Sequence, residues 1–134
     1  MDTLTKIQRS ARMALIRSKN TKPELLVRGI ARSSGYRFRL HVADLPGKPD
    51  LVFPNLKKII FVHGCFWHGH KCKLGRMPKS RKGYWTRKIN SNFQRDIRNL
   101  RRLRGLRWKC LVLWECELGE SERLAGRIAR FLAK

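Results

Sequence analysis

The centre of the chain reads DLVFPNLKKIIFV from Asp50 to Val62, and this stretch decides the fold. Two apolar runs flank the turn-forming pair Pro54-Asn55. The pattern predicts two strands, 50–53 and 58–62, joined by a tight connection. The second run is apolar at successive positions, as in a strand that is buried on both faces. We therefore expect a sheet that is covered on both sides.

Further elements are predicted on either side of these strands. Thr21-Lys22-Pro23-Glu24 is a capping box that begins a helix ending near residue 32, and residues 36–40 alternate like a strand with one exposed face. Residues 84–104 carry apolar side chains at helical spacing, and 107–114 form a strand with two apolar faces, which we expect to be central. Leu124, Ile128, Phe131 and Leu132 mark a last helix. The order α-β-β-β-α-β-α predicts an α/β fold, a mixed sheet flanked by helices.

Length and charge indicate one domain that binds nucleic acid. The 134 residues suit a single domain, which we place at 21–134 after a basic, DNA-contacting arm at 1–20. Lys and Arg number 32 against 9 Asp and Glu, so the net charge is +23 and a polyanion is the expected partner. No apolar run approaches the roughly 18 residues of a membrane span, and the start lacks the apolar core of a signal peptide. We expect a cytoplasmic protein and, from its small size, a monomer.

Ten residues of the chain hold five potential metal ligands, namely His63, Cys65, His68, His70 and Cys72. So short a loop cannot easily place all five on one ion. We expect three to bind a structural zinc and two histidines to serve another purpose. The fourth zinc ligand is Cys110 or Cys116, and we favour Cys116 because it lies where a strand ends. The alternative is that the histidines are surface residues and the cysteines fill the core.

Three carboxylates stand out in a field of positive charge. A carboxylate on a DNA-binding surface repels phosphate unless a cation such as Mg²⁺ lies between them. Asp50 begins a strand, Glu24 lies in the first turn of a helix and Asp96 lies in the long helix. The alternative roles are a strand-end residue for Asp50, a helix cap for Glu24 and an ion pair with arginine for Asp96.

Several segments together resemble the very short patch repair (Vsr-type) DNA mismatch endonucleases. They are the stretches 17–24 (RSKNTKPE), 45–50 (LPGKPD), 60–70 (IFVHGCFWHGH) and 112–116 (VLWEC). The resemblance runs from about residue 8 to 118. It implies a restriction-endonuclease-like fold and an Mg²⁺-dependent nick on the 5′ side of the T in a T:G mismatch left by deamination of 5-methylcytosine. It also implies double-stranded DNA as substrate, mismatch-repair proteins as partners and a place near the bacterial nucleoid.

The resemblance assigns roles residue by residue. Asp50 is similar to the magnesium-binding aspartate, with the backbone carbonyl of Val62 as a second ligand, although the best-known pattern has threonine at that position. His68 is similar to the catalytic histidine, and His63, Asp96 and Glu24 to further active-site residues. The zinc ligands it implies are Cys65, His70, Cys72 and Cys116. The DNA contacts it implies are Met13, Lys88, Asn92 and an aromatic wedge formed by Phe66, Trp67 and Trp85.

Two other functions remain open from the sequence. One is a restriction-type or other site-specific endonuclease of the same fold, because specificity depends on a few groove contacts. The other is a zinc-dependent DNA-binding module that does no catalysis. Cleavage of matched and mismatched duplexes separates all three.

Overall fold

In a computed structural model, residues 21–76 and 79–134 form a four-stranded sheet between helices. The helices are α1 (Lys22–Ser33), α2 (Lys82–Gly105) and α3 (Ser121–Ala133), and the strands are β1 (Arg39–Leu40), β2 (Leu51–Phe53), β3 (Lys58–His63) and β4 (Lys109–Trp114). The predicted α/β class with a mixed sheet flanked by helices is confirmed. The predicted arm at 1–20, with Met13, lies outside the described residues. Among the described helices, none is both long and apolar enough to cross a bilayer.

The sheet has the order β1-β2-β3-β4. The first three strands are antiparallel neighbours, whereas β4 runs parallel to β3 after the crossover through α2. Parallel strands end on the same side of a sheet, and His63 at the end of β3 pairs with Trp114 at the end of β4. The loops that leave these two strands therefore meet at one edge, the usual place of a functional site in such a sheet.

Alternation along β3 supplies the two faces of the core. Ile60 and Val62 pack with α1 and α3, and Ile59 and Phe61 pack with Leu103 of α2. All six residues of β3 are buried, as the apolar run predicts. The cluster on the α1 and α3 face consists of Val27, Ala31, Leu51, Phe53, Ile60, Val62, Leu113, Leu118, Leu124, Ile128 and Leu132.

The start of α1 agrees with the predicted cap in one of its two hydrogen bonds. The Glu24 N–H donates to Thr21 Oγ1 at 3.3 Å. The Glu24 carboxylate lies instead near Arg28 and His41, at 3.7 and 3.3 Å. Thr21 thus caps the helix by accepting from the Glu24 N–H, and the Glu24 carboxylate lines the cleft described below.

Two sequence predictions about the strands are wrong. Strand 107–114 was expected to be central, but β4 lies at the end of the described sheet, and β3 has neighbours on both sides. Helices cover both faces of this sheet, so even a terminal strand is apolar on both faces. The strand predicted at 36–40 is reduced to Arg39–Leu40, because only these residues pair with β2.

A buried lysine joins the sheet to the end of α3. Lys58 is 2% exposed, and its Nζ donates to the carbonyl oxygens of Phe131 and Leu132 at 2.6 and 3.0 Å. The carbonyls of a last helical turn have no partner within the helix, so an ammonium group there satisfies them. The charge is accommodated because the oxygens replace its water.

Candidate active site and metal centre

A cleft of about 1020 Å³ opens at the edge where β3 ends. The first turn of α1, the loop before β2, the end of β3 and the middle of α2 line it. It contains all five side chains predicted to be catalytic: Glu24, Asp50, His63, His68 and Asp96. Residues up to 72 positions apart in sequence thus share one concave surface, the usual setting of an active site.

Asp50 is a half-buried carboxylate that the neighbouring strand holds in place. Its Oδ2 accepts a hydrogen bond from the Val62 N–H at 2.7 Å. Burial, and to a smaller extent the negative charge of Glu24, raise the pKa of Asp50 to about 7, although the hydrogen bond from Val62 acts to lower it. A buried carboxylate beside a second one is costly to ionise unless a cation joins them. The pair therefore fits a divalent ion.

Val62 contacts Asp50 through its main chain. Its side chain belongs to the apolar cluster under α1 and α3. A hydroxyl at this position would enter an apolar core, so the exchange of threonine for valine does not remove a group from the cleft. The role of the Val62 carbonyl as a metal ligand stays a prediction.

His41 is a residue of this site that the sequence analysis missed. Its Nε2 lies 3.3 Å from Glu24 Oε2, and one ligand atom each of Glu24, His41 and Asp50 lie within 4.8 Å of one another. No motif marks His41, since it follows an unremarkable basic and apolar run. Only its spacing from Pro49-Asp50 across a turn-rich loop could have suggested that the two residues meet.

The second group in the cleft pairs a histidine with an acid. Asp96 Oδ2 lies 2.5 Å from His68 Nδ1, and the His68 ring stacks on His63 with centroids 3.9 Å apart. When Nδ1 carries the hydrogen that Asp96 accepts, Nε2 is left as the nitrogen that can take up a proton. This is the arrangement of a general base with an orienting carboxylate.

Three cysteines and one histidine converge on the other side of the loop. Ligand atoms of Cys65, His70, Cys72 and Cys116 lie within 4.8 Å of one another, and the Cys116 N–H donates to Cys65 Sγ at 3.4 Å. Among the described residues all four cysteines are free thiols, and Cys110 packs beside the core under α2. Thiolate and imidazole in a set of four match a closed structural zinc site.

The thiols of this Cys3His cluster differ in their environment. Burial raises the pKa of Cys65 to about 12. Desolvation also acts to raise the pKa of Cys72, but hydrogen bonds with His70 and Cys65 lower this pKa to about 7. A bound metal would hold all of them as thiolates. The loop is tightly closed around the cluster, because a Cβ on Gly75 would lie 2.0 Å from the His70 carbonyl oxygen.

The three aromatic residues that are predicted to form a wedge lie together beside the cleft. Trp67 contacts Phe66 and Trp85 edge to face, with centroids 5.1 and 5.9 Å apart, and Trp85 is 9% exposed. Asn92 is 4% exposed, and its Nδ2 donates to the Trp67 carbonyl at 2.9 Å. Lys88 lies exposed on α2. The structure thus brings the three aromatic rings together and joins Asn92 to the main chain of one of them.

Comparison with known proteins gives a family match and several similar relatives. Residues 1–74 match the family described as DNA mismatch endonuclease Vsr. The type II nicking enzyme V.XorIIP of Xanthomonas oryzae is 49% identical over 98% of the chain and 96% of its own length. The type II nicking enzyme V.NmeAIP of Neisseria meningitidis is 42% identical over 98% and 94%. The DNA mismatch endonuclease Vsr of Escherichia coli is 40% identical over 92% and 79%.

Proposed function

Because the chain belongs to the family of Vsr DNA mismatch endonucleases, we propose that it nicks double-stranded DNA on the 5′ side of the T in a T:G mismatch. Family membership makes it a DNA endonuclease, which removes the alternative of a non-catalytic zinc module. The mismatch as substrate, Mg²⁺ as catalytic ion, zinc as structural ion and the role of each residue are parts of the proposal. Its substrate would be chromosomal DNA, so it would act in the cytoplasm at the nucleoid, as a monomer and with mismatch-repair proteins as partners.

One observation carries the proposal: the His68–Asp96 pair and the Asp50 carboxylate line the same cleft. Hydrolysis of a phosphodiester needs an activated water, neutralised phosphate charge and in-line placement. Glu24 and Asp50 would hold Mg²⁺ beside the Val62 main chain, and the ion would neutralise phosphate charge and polarise the attacking water. His68 would accept the proton of that water at Nε2, while Asp96 holds the Nδ1 hydrogen.

Preference for a mismatch has a physical basis in the aromatic wedge. Inserting aromatic rings into a base step costs a few kcal/mol of stacking, and the cost is lower where a base pair is already weak. Phe66 and Trp67 of the wedge belong to the same loop as His68, so insertion beside a mismatch would bring the His68 imidazole to the scissile phosphate. Lys88 and Asn92 would contact the mismatched bases, and Met13 would enter from the opposite groove.

The Cys3His cluster would fix the conformation of the loop that carries His68. Cys65 precedes Phe66, Trp67 and His68 in sequence, and His70 and Cys72 follow them. Cys116 joins the cluster from the segment after β4. Zinc in such a closed set has no open position for a substrate. Its proposed role is to fix the positions of the wedge and of His68.

The experiment is a nicking assay with Mg²⁺ on two labelled duplexes that differ only in one T:G pair in place of C:G. The expected result is one nick on the 5′ side of the T, confined to the mismatched duplex and lost in Asp50→Asn. Asp44→Asn is the matched control, because Asp44 is an exposed carboxylate of the same loop. Equal cleavage of both duplexes would replace the mismatch proposal with a site-specific nicking enzyme, and nicking by Asp50→Asn would overturn the metal assignment.

A further inference from the structure

His41 occupies an unusual backbone conformation beside the catalytic carboxylates. Its φ is +49°, in the left-handed region that few residues other than glycine adopt, although histidine is among the enriched exceptions. Its N–H donates to the Asp50 carbonyl oxygen at 3.2 Å, which extends the pairing of β1 and β2 by one residue pair. This hydrogen bond fixes the main chain of residue 41 beside that of Asp50.

The ring of His41 is directed at the same place as the two carboxylates. Its Nε2 is buried and makes no hydrogen bond of good geometry among the described residues, its nearest acidic partner being Glu24 Oε2 at 3.3 Å. Asp50 contributes the third atom of a set that lies within 4.8 Å. Donors around one metal ion are separated by about 3 to 4 Å, since each lies near 2.1 Å from the ion. A small contraction would place all three on one ion.

We propose that His41 is a ligand of the catalytic cation, through Nε2, and that it shifts the preference of the cleft from Mg²⁺ towards Mn²⁺ and similar transition ions. The inference rests on the proposed cation site at Asp50 and adds a nitrogen donor to it. Mg²⁺ favours oxygen donors in a near-ideal octahedron, whereas imidazole favours first-row transition metals.

A structural role for His41 gives a different expectation. If the ring only pairs with Glu24, its replacement weakens binding of every divalent ion alike or lowers stability alone. A ligand role changes the ratio of Mn²⁺ to Mg²⁺ affinity and leaves a nitrogen signature on the bound ion. The ratio and the signature therefore separate the two roles.

The experiment uses the zinc-containing protein without DNA. Mn²⁺ binding is measured by electron paramagnetic resonance, Mg²⁺ by competition, and directly bound nitrogen by pulsed measurements on bound Mn²⁺. His41→Asn keeps a residue that tolerates positive φ and replaces the ring with a short amide, and His41→Gln is the second variant. Zinc content and Tm show that both variants are folded.

We expect both variants to bind Mn²⁺ about tenfold more weakly, or worse, and to change Mg²⁺ affinity by less than about threefold. The nitrogen signal should be present in the wild type, persist in His68→Ala and vanish in His41→Asn. An unchanged affinity ratio, or a wild-type signal without nitrogen, overturns the inference. Because no DNA is present, this result is independent of mismatch cleavage, so a failure of the proposed substrate would leave the His41 result standing.

Discussion

The imidazole rings of His63 and His68 lie parallel, with centroids 3.9 Å and planes 1° apart. The stacking fixes the plane of one ring relative to the other. Asp96 Oδ2 also contacts His68 Nδ1 at 2.5 Å. His63 at the end of β3 and Asp96 in α2 therefore hold the His68 ring in one orientation, as the proposed general base requires.

Asp96→Asn should slow nicking without abolishing DNA binding. The amide retains the size of the side chain but cannot stabilise a charged His68. Loss of an orienting carboxylate or a general base typically costs about 10² to 10⁴-fold in rate. Single-turnover nicking with saturating enzyme measures the chemical step. His68→Ala and the double variant complete a double-mutant cycle. If the double variant nicks much more slowly than His68→Ala alone, Asp96 acts independently of His68.

Asp50→Asn should stabilise the protein at neutral pH when no Mg²⁺ is added. The pKa of Asp50 is raised from 3.8 to about 7, so the folded state holds a proton that the unfolded state releases, and stability falls as pH rises through this window. Each pKa unit corresponds to about 1.4 kcal/mol, which allows up to about 4 kcal/mol at pH 8. Asparagine avoids this loss and can still accept the Val62 hydrogen bond.

Denaturant unfolding of Asp50→Asn and wild type from pH 4 to pH 8 measures this effect. The two free energies should be similar near pH 4 and diverge until about pH 7, after which the difference stays constant. Parallel curves across the range would mean that Asp50 ionises normally in the folded protein.

Cys116→Ala should lose its metal, whereas Cys110→Ala should keep it. Cys116 lies in the Cys3His cluster, and Cys110 packs beside the core under α2. Removing one of four ligands opens the site, and folding energy supplied by the metal is lost with it. Zinc per protein and Tm should fall together in Cys116→Ala only. A full zinc equivalent in that variant would exclude Cys116 as a ligand.

Local patterns were sufficient to predict most of the fold. The capping box, the apolar run of β3 and the helical spacing of 84–104 each depend on neighbours within a few residues, and the structure confirms all three elements. The position of β4 was mispredicted because burial on both faces results from the covering helices and does not identify strand neighbours.

The metal cluster could be predicted from the sequence, whereas one residue of the cleft could not. The density of histidine and cysteine in residues 63–72 predicted a metal cluster by itself, and the choice of Cys116 required only that loops meet at strand ends. His41 carries no such signal. Its place beside Glu24 depends on a left-handed turn and on the approach of α1 to the sheet, which are tertiary features.

Lys58→Met should destabilise the fold by about 1 to 3 kcal/mol, the typical cost of leaving buried acceptors without a donor. Methionine fills a similar volume, and the change removes the ammonium group together with its bonds to the carbonyl oxygens of Phe131, Leu132 and Lys134. Denaturant unfolding measures the difference. Lys109→Met is the matched control, because Lys109 pairs with Lys58 in the sheet but is exposed, and its effect should stay within about 0.5 kcal/mol. An equal loss of stability in both variants would mean that removal of the charge, and not loss of the hydrogen bonds, causes the effect.

Asn92→Leu tests whether Asn92 supports the aromatic wedge. Its buried amide donates to the Trp67 carbonyl and accepts from Arg95, so the variant should loosen Trp67 against Trp85 before any DNA is bound. Near-ultraviolet circular dichroism of the free protein reports fixed aromatic packing and should weaken, together with at least a tenfold loss of mismatch nicking. Asn90→Leu, an exposed position of the same helix, should change neither. If nicking falls while the free-protein spectrum stays unchanged, Asn92 acts on the bases directly; a loss of both would mean that the wedge must be held in place before it can enter the stack.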